Sequence, residues 1–221
     1  MRVIKEKSYA KINLFLEILN KRKDGYHDIE TLFHEIDLYD VINIQINKTS
    51  NENCKISVKT KKIDVPENKN IVFKVCNDFC NVFNIKDEIE ILIEKNIPIG
   101  GGLGGGSSNA GYVLKFLKNH YKIEDNEKIF EIAEKNGADI PFFLQGGTAI
   151  GRGKGEKLTK IEIKNKFKFI LIFPQIFIST KDVYDQVKII LTEIKNYDIV
   201  LSNILKNENT YNIEEFNLEY E

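Results

Sequence analysis

Apolar residues fall at every second position over most of the first sixty residues, and the spacing then switches between strand and helix periods. Ile12, Leu14, Leu16 and Ile18 predict a strand over 12–19, and residues 2–7 predict another. Lys21–Gly25 reads as a turn, with Asp24-Gly25 its strongest signal, and 29–38 as a strand pairing back. Segments 41–47 and 54–60 alternate cleanly, as half-buried strands with one wet face do. From Asn70 to Phe83 the period becomes helical, with Ile71, Val72, Val75, Phe79, Val82 and Phe83 as the stripe. Ile89, Ile91 and Ile93 restore period two over 88–95. Ala110, Val113, Leu114, Leu117 and Tyr121 predict a helix from about 107, with Ser107, Ser108 and Asn109 as its N-cap candidates. Ile129, Ile132 and Ala133 predict a helix stopped near Gly137. A glycine-rich hairpin over 147–155, a buried strand over 168–174 and a helix over Val183–Ile194 complete the pattern. Early strands followed by mixed helices and strands predict an α+β chain. A soft boundary lies around 155–165, where the composition turns charged.

Between the 88–95 strand and the next helix runs Pro98-Ile-Gly-Gly-Gly-Leu-Gly-Gly-Gly-Ser-Ser108. Six of the seven residues from Gly100 to Gly106 are glycine, a density costly in backbone entropy. Strand, glycine loop and helix start in that order make an anion cradle, because bare backbone approaches closely and the helix N-terminus offers free N–H groups. It is not a Walker A loop, since no Gly-Lys-Ser/Thr follows the glycines. The dinucleotide spacing Gly100-x-Gly102-x-x-Gly105 matches, but so many glycines match many patterns. A protein-kinase glycine loop would lead into a strand, and neither His-Arg-Asp nor Asp-Phe-Gly occurs. A flexible linker is the bland alternative, and the strongly periodic flanks argue against it.

Four further constellations carry candidate chemistry. Lys11 and Asn13 lie two residues apart on one side of a strand, where a lysine is ordinarily a solvated edge charge. Asp24-Gly-Tyr-His27 puts an aromatic ring and an imidazole past a tight turn, either as plain surface or as a platform for a ring and its edge. Asp139 follows the helix stop at Gly137 and precedes Pro141. It reads as an N-cap or, amid Ala138, Ile140 and Phe142, as a partly desolvated general base. Ser179 or Thr180 can cap the last helix, whose first turns carry Tyr184.

Taken together, these pieces resemble the GHMP kinase superfamily. Ala10-Lys-Ile-Asn-Leu-Phe-Leu, Asp24-Gly-Tyr-His, Pro98–Ser108, Gly137-Ala-Asp-Ile-Pro, Gly146-Gly-x-Ala-x-x-x-Gly-x-Gly-Glu156 and Pro174-x-x-x-x-Ser-Thr-x-x-x-Tyr184 stand in the right order. Asp24-Gly-Tyr-His27 points to the branch acting on a diphosphocytidyl-methylerythritol in the non-mevalonate isoprenoid pathway, rather than to homoserine or mevalonate kinases. The resemblance implies a GHMP fold. Its N-terminal ATP-binding lobe, similar to ribosomal protein S5, would span 1–160, and a partial, truncated ferredoxin-like lobe would span 161–221.

The resemblance also implies roles. Asp139 would take the proton of the 2-hydroxyl, Lys11 would hold the charge beside it, and Asn13 would position the substrate. Tyr26 and Tyr184 would sandwich the cytosine, and His27 would read its edge. Pro98, Ile99, Gly100, Gly101, Gly102, Leu103, Gly104, Gly105, Gly106, Ser107 and Ser108 would wrap the phosphates of ATP. Mg²⁺ would accompany ATP, with Ser107 or Ser108 as the candidate hydroxyl. The family's third motif, a Gly/Ser-rich loop near the C-terminus, has no counterpart, since no glycine follows Gly155. A shortened second lobe would leave apolar surface that a homodimer would cover. It also leaves an alternative from a different class, a catalytically silent nucleotide-binding relative.

Bulk properties narrow the picture further. A chain of 221 residues with formal net charge -1 gives no electrostatic footprint for nucleic acid. No apolar run reaches membrane-span length, and the N-terminus lacks a signal peptide. Three cysteines, Cys54, Cys76 and Cys80, form no disulfide framework and no zinc site. Cys76 and Cys80 read as core or semi-buried thiols, and the chain as a cytoplasmic protein with a small-molecule substrate.

Overall fold

A computed structural model describes residues 3–49, 52–63, 65–163 and 167–174. Tyr184, the Ser179/Thr180 cap, the Val183–Ile194 helix and the rest of the second predicted lobe lie outside the described residues. Strand β1 (Ile4–Lys21) pairs antiparallel with β2 (His27–Asn47) along nearly its whole length. The separate segments predicted at 2–7 and 12–19 are therefore one strand, as are those at 29–38 and 41–47. Register shifts at Tyr9/Ala10, Asn13/Phe15 and Ile18/Asn20 show why. Bulges absorb the breaks in alternation and bend the ladder without ending it. The predicted turn joins them, with Gly25 in the left-handed region (φ 85°) and Arg22 N–H donating to Tyr26 O.

The other edge of β2 is shared by two partners. Its C-terminal half pairs with β4 (Glu88–Glu94), and its N-terminal half with β5 (Thr148–Gly153), which continues into β6 (Lys157–Lys160). Strand β3 (Lys55–Lys61) lies parallel to β4. Parallel pairing needs a long crossover, supplied by helix α1 (Ile71–Phe83). Between its two partners the middle of β2 meets the chain leaving β4 and the chain entering β5. The candidate site forms there.

Helices α1, α2 (Gly105–His120) and α3 (Asn126–Asn136) cover one face of the sheet over Ile42, Ile44, Ile89, Ile91 and Ile93. Each such side chain contributes about 1.5–3 kcal/mol when fully buried. The stripe of α1 departs from expectation at Val82, which is 46% exposed, while Cys76 and Cys80 are buried. The buried positions are 72, 75, 76, 79 and 80, so these two thiols join the core. Burial pushes both thiols up and keeps them neutral.

Helix α2 begins earlier than predicted. Gly104, in the left-handed region (φ 69°), is its cap, and Ser107, Ser108 and Asn109 lie inside the first turns. Ser108 N–H bonds back to Gly104 O, so the glycine loop itself winds into the helix. The displaced polar residues fasten α2 to β1 instead, with Ser108 Oγ donating to Tyr9 O and Ser8 Oγ to Asn109 Oδ1.

Residues 168–174 are not the buried strand their pattern predicts. Ile170 is 92% exposed and Ile172 87%. The segment has no ladder partner among the described residues, so only one of its faces rests on the body. Phe167 and Phe169 lie against His34, with ring centroids 6.0 and 5.6 Å away.

Candidate active site

Lys11 is held from two directions. Its backbone N–H donates to Leu103 O (3.0 Å), drawing the glycine loop across β1. Its ammonium donates to Asn13 Oδ1 (2.7 Å) and lies 3.7 Å from Asp139 Oδ2 and 5.1 Å from the Phe33 ring centroid. Asn13 is oriented in turn, because its Nδ2 donates to Thr31 Oγ1 (2.6 Å), whose hydroxyl donates to Phe15 O (2.6 Å). The Lys11 side chain is 8% exposed, so its charge is held within the protein.

Asp139 is the N-cap residue of a short helix, α4 (Ile140–Gln145), with Pro141 in its first turn. Its side chain accepts no capping hydrogen bond, and a third of it is open to solvent. Ile140 and Phe142 beside it point into the core. A carboxylate free of its cap and facing a buried ammonium can accept a proton from an alcohol, and the ammonium can hold the charge that develops on oxygen.

The far end of α4 is tied down as well. Glu35, opposite Lys11 in the β1–β2 register, accepts from Gly147 N–H (2.8 Å) and from the Tyr112 hydroxyl of α2. Burial and the neighbouring Glu35 carboxylate push the Tyr112 phenol well above its ordinary value, so it stays a donor. One carboxylate thus links α2, which carries the glycine loop, to α4, which carries Asp139.

In the glycine loop, Gly100, Gly102 and Gly104 have φ of 75°, 68° and 69°, a region that side chains rarely adopt. At Gly104 a Cβ would also lie 2.8 Å from Phe143 Cζ and 3.2 Å from Lys11 Cγ. The loop therefore packs directly on the Lys11 side chain. Its other side opens on a cavity of about 290 Å³, lined also by Thr60, Ile63, Val65, Asn70, Ile71 and Lys95. The loop is a shared wall, with the cavity on one side and Lys11 with Asp139 on the other.

Sequence reasoning missed the cavity residues outside the loop. Asn70 caps α1, accepting from Val72 N–H (3.0 Å). Lys95 follows β4 and pairs with the fully buried Asp40, which also accepts from Asn96 N–H (2.6 Å) and Ile97 N–H (2.8 Å). The one available signal was position, a lysine at the end of the strand predicted over 88–95. Ser108, a candidate metal hydroxyl, is fully buried and spends its proton on Tyr9 O.

Tyr26 and His27 sit elsewhere. Tyr26 is 57% exposed in the β1–β2 turn, and His27 is buried at the start of β2. The register shifts along this part of the ladder fall on β1, so β2 keeps its alternation and His27 shares a face with Thr31 and Phe33. Those residues are four and six positions on, roughly 13 and 20 Å along the strand. The structure brings Lys11, Asn13, Asp139 and the loop together and places Tyr26 and His27 at the far end of the same ladder.

Comparison with known proteins shows which family the chain resembles. Residues 70–147 match the GHMP kinases N terminal domain. A 4-diphosphocytidyl-2-C-methyl-D-erythritol kinase of Sulfurihydrogenibium sp. (strain YO3AOP1) is 49% identical over 89% of this chain and 70% of its own length. One from Caldicellulosiruptor bescii is 38% identical over 91% and 70%. A crystal structure of a 4-(cytidine 5'-diphospho)-2C-methyl-D-erythritol kinase superposes with a TM-score of 0.61 at 32% identity, covering 72% of this chain and 56% of that one. A homoserine kinase from Cytophaga hutchinsonii reaches a TM-score of 0.65 at 16% identity, a likeness of fold alone. The chain thus spans about 70% of these two relatives and 56% of the solved kinase.

Proposed function

The chain belongs to the 4-diphosphocytidyl-2-C-methyl-D-erythritol kinases, ATP-dependent GHMP kinases of isoprenoid synthesis, and from that membership we propose that its Lys11–Asp139 pair phosphorylates the 2-hydroxyl of that diphosphocytidyl alcohol. The observation that carries the reading is the uncapped Asp139 carboxylate 3.7 Å from the buried Lys11 ammonium, against the wall of the glycine loop.

In this reading the cavity takes the nucleoside end of ATP, and the loop N–H groups with the α2 N-terminus take its phosphates. Asp139 removes the hydroxyl proton, and the substrate oxygen forms a bond to the γ-phosphorus while the bond to the β-phosphate oxygen breaks. Lys11 stabilises the oxygen as its charge grows, and Asn13 holds the acceptor in place. Tyr26 stacks on the cytosine, with His27 at its edge and Tyr184 as the second face. The stretch of roughly 13–20 Å between the two ends suits an extended diphosphate ester.

No group of three or more His, Cys, Asp or Glu residues able to hold a metal occurs among the described residues. Mg²⁺ would come with the triphosphate and supply charge neutralisation, and the half-buried Ser107 would be the loop hydroxyl to meet it.

The test is Asp139→Asn in single-turnover phosphoryl transfer. Loss of a general base lowers the rate by about 10²–10⁴-fold. ATP affinity, measured by calorimetry, should stay unchanged. A variant that transfers phosphate at the wild-type rate would reduce Asp139 to a helix cap.

A further inference from the structure

The proposed chemistry uses none of the three thiols, yet the fold brings two of them together. Cys54 and Cys80 stand 26 positions apart, and their Sγ atoms lie 2.7 Å from each other. Packed carbon atoms sit about 3.5–4.0 Å apart, and sulfur is no smaller, so this contact is closer than ordinary packing. It is within about 1 Å of the roughly 2.05 Å at which two sulfurs bond.

Both partners are held by regular structure. Cys54 immediately precedes β3, and its thiol donates to Asp87 O (3.1 Å), which also accepts from Lys55 N–H (3.2 Å). Cys80 lies in the last turn of α1, where its carbonyl accepts from Asn84 N–H and from Ile85 N–H (2.9 Å). Cys54 is half-buried and Cys80 buried, so a reagent from solvent meets Cys54 first. Burial pushes both thiols up. Proximity, not an activated thiolate, is therefore what favours a bond between them.

We propose that Cys54 and Cys80 are a reversible oxidation site, closed to a disulfide by a low-molecular-weight disulfide as oxidant. The Cys54 sulfur gives up its proton and attacks one sulfur of the oxidant. The oxidant's S–S bond breaks, one thiol leaves with a proton, and a mixed disulfide remains on Cys54. The Cys80 sulfur gives up its proton, bonds to the Cys54 sulfur and expels the second thiol. Two protein thiols are oxidised, and the oxidant is reduced to two thiols. The bond closes a loop that carries Thr60, Ile63, Val65, Asn70 and Ile71 of the cavity wall. It ties β3 to α1 across that wall and stabilises the fold by restricting the unfolded chain.

The experiment brings the full chain to equilibrium with oxidised or with reduced glutathione, without denaturant, and reads intact mass, linked peptides and melting temperature. The oxidised chain should lose two hydrogens, and fragmentation should place the link between Cys54 and Cys80. Reduced glutathione should reverse it. The link should persist in Cys76→Ala and be absent from Cys54→Ser and Cys80→Ala. Oxidation should raise the melting temperature of the wild type by about 5–10 °C, the scale of a closed loop of this size in a chain of this length. Cys54→Ser separates a lost link from a lost fold. It should melt within about 2 °C of the reduced wild type and show no gain on oxidation. A wild type that keeps both hydrogens, stops at a mixed disulfide with glutathione, or links through Cys76 would overturn the inference. So would a Cys54–Cys80 link that leaves the melting temperature unchanged or lowers it, because the bond would then not fit the native fold.

Discussion

Asp87, at the foot of β4, shows how single residues set the balance of charge in this protein. Its carboxylate accepts from Lys48 Nζ and from the Tyr121 hydroxyl, each at 2.9 Å. Burial alone favours the neutral acid, but these two donors outweigh it and hold the carboxyl below its ordinary 3.8. A depressed folded value stabilises the fold above the unfolded value and loses that contribution as pH falls through the folded one. Asp87→Asn should therefore lower the melting temperature at pH 7 by the equivalent of up to about 1 kcal/mol. The gap to wild type should close below pH 3.8. Melting curves from pH 7 to pH 2.5 check this, and a gap that persisted in acid would contradict it. The site residues are a different case. Spacing alone made Lys11 an edge charge and left Asp139 between a cap and a general base, and only the resemblance paired them. Their proximity depends on β1, the loop and α4 meeting at mid-β2, which no local pattern encodes. Lys95 and Asn70 escaped notice because each looks like an ordinary strand end and an ordinary cap.

At the scale of elements, periodicity served best where one face is buried and the other wet. Strands β3 and β4 and helices α1 and α3 fall within a residue or two of their predicted spans or apolar positions. It failed where tertiary partners decide. Bulges joined predicted strands into β1 and β2, and the run at 168–174 has no ladder partner among the described residues. The contact of α2 with α4 gives a prediction whose sign separates packing from propensity. Gly111 lies inside α2, where alanine is ordinarily better by up to about 1 kcal/mol. Here an added Cβ would sit 2.6 Å from Phe143 Cβ and 3.2 Å from Ile140 O, atoms that cannot swing aside. Overpacking costs about 1–3 kcal/mol, so Gly111→Ala should be net destabilising by about 1–2 kcal/mol. A urea midpoint below that of wild type is expected, and a raised midpoint would show that α4 stands off from α2. Because α4 carries Asp139, the same variant should slow phosphoryl transfer.

For the whole molecule, the sheet acts as a frame that sets the two ends of the proposed ligand site apart. The glycine loop and its cavity lie where β2 changes partners, and the Tyr26–His27 turn lies at the strand's other end. The likeness of fold to a homoserine kinase at 16% identity shows that this frame does not choose the alcohol. In the proposed reading the choice rests with side chains, chiefly Lys11, Asn13 and Asp139 at one end and Tyr26 and His27 at the other. The most direct measurement is phosphoryl transfer from ATP by the full chain, followed by phosphorus NMR with three acceptors offered separately: 4-diphosphocytidyl-2-C-methyl-D-erythritol, homoserine and mevalonate. The account predicts a new phosphomonoester on the diphosphocytidyl alcohol alone, with none in the Asp139→Asn variant over the same time. Transfer to homoserine or mevalonate, or ATP binding with no transfer to any of the three, would contradict it.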